Sequence, residues 1–350
     1  MHPTSTRPTR GPTRARTGNR RRRGILALLA ALACLAGFAV AELKTSASGP
    51  AMSPPVTVTP EAGPAAPRQE HLAAVSWPAD GVSAADISGL GVLAGPGANR
   101  PVPIASVAKL MTAYVVLLDH PLPAEGSGPA ITVQSSEAAA YPSQAGAGDS
   151  LVPVAAGETL TERQALEALL LPSADNMAWI LARWDTGSQA AFVARMNATA
   201  RRLGMTGTSY TDPSGLDPST ASTAADQVRL GMAAMRVPAL AAIVAMPTAV
   251  VPEAGVVRNY NTLLGQDGVV GLKTGNTHAA GGCLLVAAWS QAGGRKTLIV
   301  AATFGQPGTA ETILPNALRA GHNLVLSLDR ALGFAARLAR QGRKDPSAHS

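Results

Sequence analysis

Apolar and polar positions alternate in short blocks at the start of the folded part of the chain. Ala73-Ala74-Val75-Ser76-Trp77 and Leu90-Gly91-Val92-Leu93, separated by Pro, Gly and Asp, predict an initial hairpin. Helical spacing takes over at Ala105, Ala108, Leu110, Met111, Tyr114, Val115 and Leu118, which predicts a long helix. Residues 124–157 are turn-rich, with one expected strand at Ile131-Thr132-Val133. Thr161 and Gln164 have the form of a capping box, Thr as N-cap and Gln three residues on. It opens a helix over 165–171 that Pro172 brings to an end. Further helices are expected over 175–185, over 188–203 (stopped by Gly204) and over 223–235, short of Pro238. The C-terminal third changes character: 282–289 and 297–302 are β-prone apolar runs around Gln291-Ala292-Gly293-Gly294-Arg295, a hairpin signature. An amphipathic helix over 314–338 closes the pattern. Strand pair, helix cluster, hairpin and terminal helix together predict an α+β fold, an antiparallel sheet flanked by helices with a helical lobe inserted between early and late strands.

The ends of the chain read differently. Residues 1–23 form a basic N-region with eight Arg and no acid, and residues 24–41 run for 18 positions without a charge. That length serves as a transmembrane anchor, while Ala39-Val40-Ala41 fits a signal-peptide cleavage site. Both readings place the remainder outside the cytoplasm, secreted or held at the cell membrane by 24–41, because the arginines stay inside. Residues 42–70 are rich in Pro, Ala and Ser and are expected to be an extended linker. A catalytic domain is expected over 71–335 and a disordered tail over 336–350.

Charge and cysteine content remove several classes of function. The chain carries +7, and setting aside the eight N-terminal arginines leaves −1 for everything after them. No basic footprint for nucleic acid remains on the folded part. Cys34 lies in the apolar run, so the folded part holds the single thiol Cys283, in apolar surroundings that suit a buried structural cysteine. A disulfide framework and a CxxC zinc site are excluded. His71, His120 and His322 lack any ligand spacing, and no metal site is expected.

Three short motifs carry chemistry. Ser106-Val107-Ala108-Lys109 opens a helix, where positions i and i+3 share a face, so hydroxyl and amine can meet. A serine needs an adjacent base, and a lysine supplies one if burial or a second cation lowers its pKa. Lys273-Thr274-Gly275, followed by Asn276, puts an amine, a hydroxyl and a glycine at a strand edge, a suitable cradle for a substrate carboxylate. Between them, Ser173-Ala174-Asp175-Asn176 sits in a loop joining two helices, where Ser173 can bridge the lysines and pass protons, or cap the following helix. Each motif alone also fits a bland reading: an N-cap with a solvated lysine, an exposed turn, a helix cap. His278 after the third motif is expected to be an exposed or rim residue rather than a partner of a serine, and Arg258 upstream a solvated loop arginine rather than an aid to the carboxylate site.

The order and the surroundings of the motifs resemble the D-alanyl-D-alanine carboxypeptidase family of low-molecular-mass penicillin-binding proteins, which combine SxxK, SxN and KTG in this sequence. Ile104 to Ala113, Gly157 to Thr161, Asp212 to Asp217 and Asn259 to Leu264 resemble it as well, so the likeness covers roughly residues 71–305. It implies a β-lactamase/transpeptidase-like fold and an acyl-enzyme on Ser106. Lys109 would act as base, and Ser173 would relay a proton. Lys273, Thr274 and Gly275 would bind the substrate's terminal carboxylate and backbone, and the N–H groups of Ser106 and Asn276 would form the oxyanion hole. The implied substrate is a peptidoglycan stem peptide, β-lactams are acylating inhibitors, and no cofactor is expected. One departure stands out: the third position of SxN is Asp175, with Asn176 next. Repulsion between a carboxylate and the substrate's own carboxylate favours Asn176 in the amide role, through a small loop shift. A β-lactamase, or a catalytically impaired homologue acting as a wall-binding module, is the alternative; endopeptidase activity stays open.

Overall fold

The computed structural model describes residues 75–146 and 149–341. The basic N-region, the apolar run and the linker lie outside the described residues. β1 (Val82–Ile87) and β2 (Gly91–Ala94) form the first hairpin, and β3 (Val102–Pro103) leads into a 3-10 turn, Ala105–Ala108, continued by α1 (Lys109–Asp119). The lobe then contains β4 (Ala130–Thr132), α2 (Ser135–Gly146), β5 (Thr159–Thr161), α3 (Glu162–Leu170), α4 (Asp175–Thr186) and α5 (Gln189–Arg202). It continues through β6 (Ala221–Ser222), α6 (Ala224–Ala234), α7 (Pro238–Val244) and the hairpin β7 (Thr248–Val251) with β8 (Gly255–Arg258). The chain returns to the sheet as β9 (Val269–Thr277), β10 (Gly281–Ser290) and β11 (Thr297–Gln306), and ends in α8 (Ile313–Gln341).

The central sheet has the order β2-β1-β11-β10-β9, with every neighbouring pair antiparallel. This is the expected α+β arrangement, with the helical lobe inserted between β2 and β9. β10 and β11 read as unbroken apolar runs because both faces of the sheet are covered. Leu284, Val286 and Ala288 point with Ile299 and Ala301 toward Leu324, Val325 and Leu328 of α8. The alternate residues Leu285, Ala287, Val300 and Ala302 face the lobe, where they share a core with Leu110, Met111, Leu166, Leu181 and Val228. The Thr161–Gln164 capping box forms as expected and fixes the start of α3.

Four expectations needed correction. Among the described residues the first strand is 82–87; its buried Ala84 and Ala85 carry too little side chain to advertise a strand, whereas Val75 and Trp77 of the expected run pack under α8 outside the sheet, and 73–74 lie outside the described residues. The turn-rich stretch holds α2, which accommodates Pro142 inside it. Pro238 does not merely follow a helix: it occupies the first turn of α7, where its missing N–H costs nothing. Helix α8 runs to Gln341, so the helix continues into the segment expected as a tail from 336, and 342–350 lie outside the described residues.

Gly282 marks where α8 meets the sheet: a Cβ there would stand 2.3 Å from the Ile313 carbonyl oxygen. Gly282→Ala should therefore force α8 off β10 at a cost of about 1–3 kcal/mol, seen as a fall of several °C in Tm. An unchanged melting curve would show that the helix start yields freely.

Candidate active site

The site forms where the lobe meets β9. Ser106 sits in the 3-10 turn ahead of α1, half-buried, while Ile104, Ala105, Val107 and Ala108 around it are buried. Its position is set by strain and by close backbone approach. Ala105 has φ +47°, a left-handed conformation that non-glycine residues rarely hold. Gly215 lies against it, where a Cβ would stand 1.9 Å from the Ala105 carbonyl oxygen. From the other side Gly275 brings β9 in: a Cβ there would lie 3.0 Å from the amide nitrogens of both Ser106 and Val107.

Lys109, the first residue of α1, has no solvent exposure. Its ammonium group has three acceptors, Ser106 Oγ at 2.7 Å, Asp175 Oδ1 at 2.6 Å and the Ser214 carbonyl oxygen at 2.9 Å. Burial pushes its pKa below the ordinary lysine value, and the charges of Asp175, Asp212 and Asp149 pull it back. Lys273, central in β9 and also buried, donates to Ser173 Oγ at 3.0 Å and to the Thr274 carbonyl at 2.9 Å. Burial drives its pKa well below the ordinary value, with repulsion from Lys109 adding to the shift and Asp175 opposing it. Two buried amines, each on a serine hydroxyl, thus face one carboxylate.

The structure brings Ser106, Lys109, Ser173, Asp175, Lys273, Thr274 and Gly275 together. Asn276 is exposed one residue further along β9, paired with Gly282 of β10. Ser173 has φ +66° and bonds Lys273, while the three donors of Lys109 go elsewhere, so Ser173 serves one lysine and does not bridge both. The expectation for Asn176 is corrected. Its side chain turns away to the backbone of Val152, donating to the carbonyl at 2.8 Å and accepting from the amide at 3.3 Å. Asp175 is the residue of the pair that reaches the site. The reason is helical geometry: α4 starts at Asp175, so adjacent residues diverge by about 100° around the axis and cannot share a target. Repulsion from a substrate carboxylate does not decide the placement, because Lys109 neutralises Asp175 at contact distance.

Sequence reasoning missed the support beneath these residues. Asp212 Oδ2 accepts from the amides of Ser214, Gly215 and Leu216, and Oδ1 from Thr220 Oγ1, which folds the 212–217 loop so that Ser214 presents its carbonyl to Lys109. Thr112 Oγ1 donates to the Pro213 carbonyl and ties that loop to α1. The Asp-Pro-Ser-Gly turn was visible in the sequence, but its target was not. Cys283, paired with Gly275 across β9 and β10, is fully buried with its thiol pKa pushed up to about 12, chiefly by burial, as a structural cysteine should be.

The sequence pattern of the D-alanyl-D-alanine carboxypeptidase family matches residues 75–305, which contain every residue of this site. The chain belongs to this family. The D-alanyl-D-alanine carboxypeptidase DacB2 of Mycobacterium tuberculosis is 37% identical over 228 residues, 63% of this chain and 73% of that one. A D-alanyl-D-alanine endopeptidase of Pseudomonas aeruginosa is 36% identical over 192 residues, 53% of this chain and 59% of that one. The crystal structure of the Streptomyces K15 DD-transpeptidase superposes with a TM-score of 0.62 at 25% identity, covering 72% of this chain and 98% of that one.

Within this family member the Gly215–Ala105 contact is the least forgiving feature of the site. Gly215→Ala adds a methyl group at 1.9 Å from a backbone oxygen and at φ +81°. The expected result is a lower Tm together with at least about tenfold slower acylation by a penicillin, since a misplacement of about 1 Å costs that much or more. Wild-type acylation in this variant would show that the loop does not position Ser106 and Lys109.

Proposed function

We propose that the protein is a serine D-Ala-D-Ala carboxypeptidase that removes the terminal D-alanine from peptidoglycan stem peptides through an acyl-enzyme on Ser106. The observation that carries this is the 2.7 Å contact between Ser106 Oγ and the buried Lys109 amine, with the Ser173–Lys273 pair beside it. In this reading Ser106 Oγ attacks the carbonyl of the penultimate D-alanine as Lys109 takes its proton. The backbone N–H groups of Ser106 and Asn276 stabilise the developing oxyanion. Gly275 supports this assignment, because its lack of a side chain lets β9 lie against the Ser106 amide. Lys273 and Thr274 attract the terminal carboxylate, and the substrate backbone runs along β9 as an added strand. Ser173, held by Lys273, returns a proton to the departing D-alanine, and water releases the acyl group. β-Lactams enter the same path and stop at the acyl-enzyme.

We infer as well that the domain works outside the cytoplasm. The charge-free run 24–41 behind eight arginines supports this, since such a run directs the downstream chain across the membrane. Protease added to spheroplasts should digest the domain; full protection in intact spheroplasts would place it inside.

The decisive assay is release of D-alanine from a stem pentapeptide by the full-length protein. Ser106→Ala should reduce both that release and covalent labelling by a fluorescent penicillin to background. Retained labelling would move the nucleophile elsewhere, and labelling without D-alanine release in the wild type would make the protein a penicillin-binding wall module.

A further inference from the structure

The middle motif of the family is usually SxN, with an amide side chain at the position that Asp175 fills here, and both oxygens of this carboxylate are committed. Oδ1 accepts from Lys109 Nζ at 2.6 Å and Oδ2 from the Ser150 amide at 3.0 Å. The side chain is only 4% exposed, so Asp175 acts on the chemistry through Lys109.

An ammonium group has three N–H donors, and Ser106 Oγ, Asp175 Oδ1 and the Ser214 carbonyl fill all three. In that state the nitrogen has no lone pair, and the Ser106 proton has no acceptor. As a neutral amine, Lys109 keeps Asp175 and Ser214 with its two N–H groups and turns its lone pair to the Ser106 hydroxyl. The step then balances. The Ser106 O–H bond breaks as Oγ bonds to the substrate carbonyl carbon, the proton goes to Nζ, and the carbonyl π pair moves onto its oxygen. One hydrogen-bond frame serves both states, and charge selects between them. An asparagine would contribute a dipole, whereas the aspartate contributes a full negative charge at contact distance, which favours the ammonium.

The groups facing Lys109 come from four parts of the chain: Asp175 from α4, Asp149 from the segment ahead of β5, Asp212 from the 212–217 loop, and Lys273 from β9. The Asp149 carboxyl is raised, first by burial and then by repulsion from Asp175, with the Lys109 charge opposing the shift.

We propose that Asp175 is a positioning residue that braces Lys109 as an ammonium in the resting enzyme, so that acylation of Ser106 waits on loss of one proton from the Lys109–Asp175 pair and accelerates toward alkaline pH. This rests on Lys109 being the proton acceptor of Ser106. Removing the carboxylate removes stabilisation of the charged form and moves the acid limb of the acylation rate to lower pH.

The test is the second-order rate of labelling of the full-length protein by a fluorescent penicillin, from about pH 6 to about pH 9.5, for wild type, Asp175→Asn, Ser106→Ala and Lys109→Ala. The wild type should label at least about tenfold more slowly near pH 7 than at its alkaline plateau. Asp175→Asn should move the limb down by about one pH unit or more, label about tenfold faster than wild type near neutrality, and converge with it at the plateau. A wild type already at its plateau near pH 7 overturns the proposal, whether or not the Asn variant folds. So do coincident limbs, or a variant that is slower at every pH with an unmoved limb. Labelling that survives in Ser106→Ala, or is undiminished in Lys109→Ala, sinks the serine–lysine reading itself. Loss of labelling in both of those with coincident wild-type and Asn limbs sinks only the brace.

Discussion

A buried ammonium group is the constraint on which the rest of this molecule depends. Removing a charge from water costs several kcal/mol even after the surroundings relax, and only well-placed acceptors offset it. Lys109 finds its acceptors 3, 66 and 105 residues along the chain, at Ser106, Asp175 and Ser214. The 3-10 turn, the start of α4 and the 212–217 loop therefore have to converge, and further hydrogen bonds hold the last two in place. Ser150 and Asp175 exchange hydrogen bonds, the Asp175 amide to the Ser150 carbonyl and the Ser150 amide to Asp175 Oδ2. Asn176 secures the next stretch by pairing with the Val152 backbone. Asp212 organises its loop and Thr112 fastens that loop to α1.

The second lysine extends this logic across the seam between lobe and sheet. Lys273 projects from a strand whose neighbouring residues are buried, so its amine is almost withdrawn from solvent and settles on Ser173. Two amines near one another repel, and burial penalises both; the pair is tolerated because one carboxylate lies within reach of each. The electrostatics explain why the lobe and the sheet cannot be judged separately. Sliding β9 away from Ser106 would separate the lysines, but it would also open the Gly275 contact that brings the strand against the nucleophile.

Most of the scaffold was legible in the sequence, because periodicity and turn chemistry act locally. The Thr161–Gln164 box, the Gly204 stop and the β10–β11 hairpin fall where the pattern puts them. Among the elements that escaped, besides short strands such as the β7–β8 hairpin, the signal is weak or ambiguous: β1 is built on alanines, α2 is interrupted by Pro142, and α7 opens on a proline that reads equally as an ending. At the site, the order of three motifs pointed to Ser106, Lys109, Ser173 and Lys273. It could not resolve Asp175 from Asn176, because neighbours in sequence are separated by a helical rotation that only the position of the first α4 turn determines. Nor could it reveal that Ser214 contributes a backbone carbonyl, since backbone atoms leave no mark in the choice of residue.

Local rules break at the residues that do the chemistry. Ala105 and Ser173 both hold left-handed conformations that alanine and serine avoid elsewhere, and each adjoins or is a serine bound to one of the lysines. Such strain persists only where the surroundings over-determine it. Here that work falls to Gly215, whose lack of a side chain leaves room for the Ala105 carbonyl, and to Leu171, whose carbonyl accepts from the Tyr260 amide just ahead of the Pro172–Ser173 turn. Relaxing Ala105 to an ordinary helical conformation would improve the start of α1 and carry Ser106 away from Gly275. The distortion is thus a condition of the site: the strained turn holds the hydroxyl against the Lys109 amine while its backbone lies against β9 at Gly275.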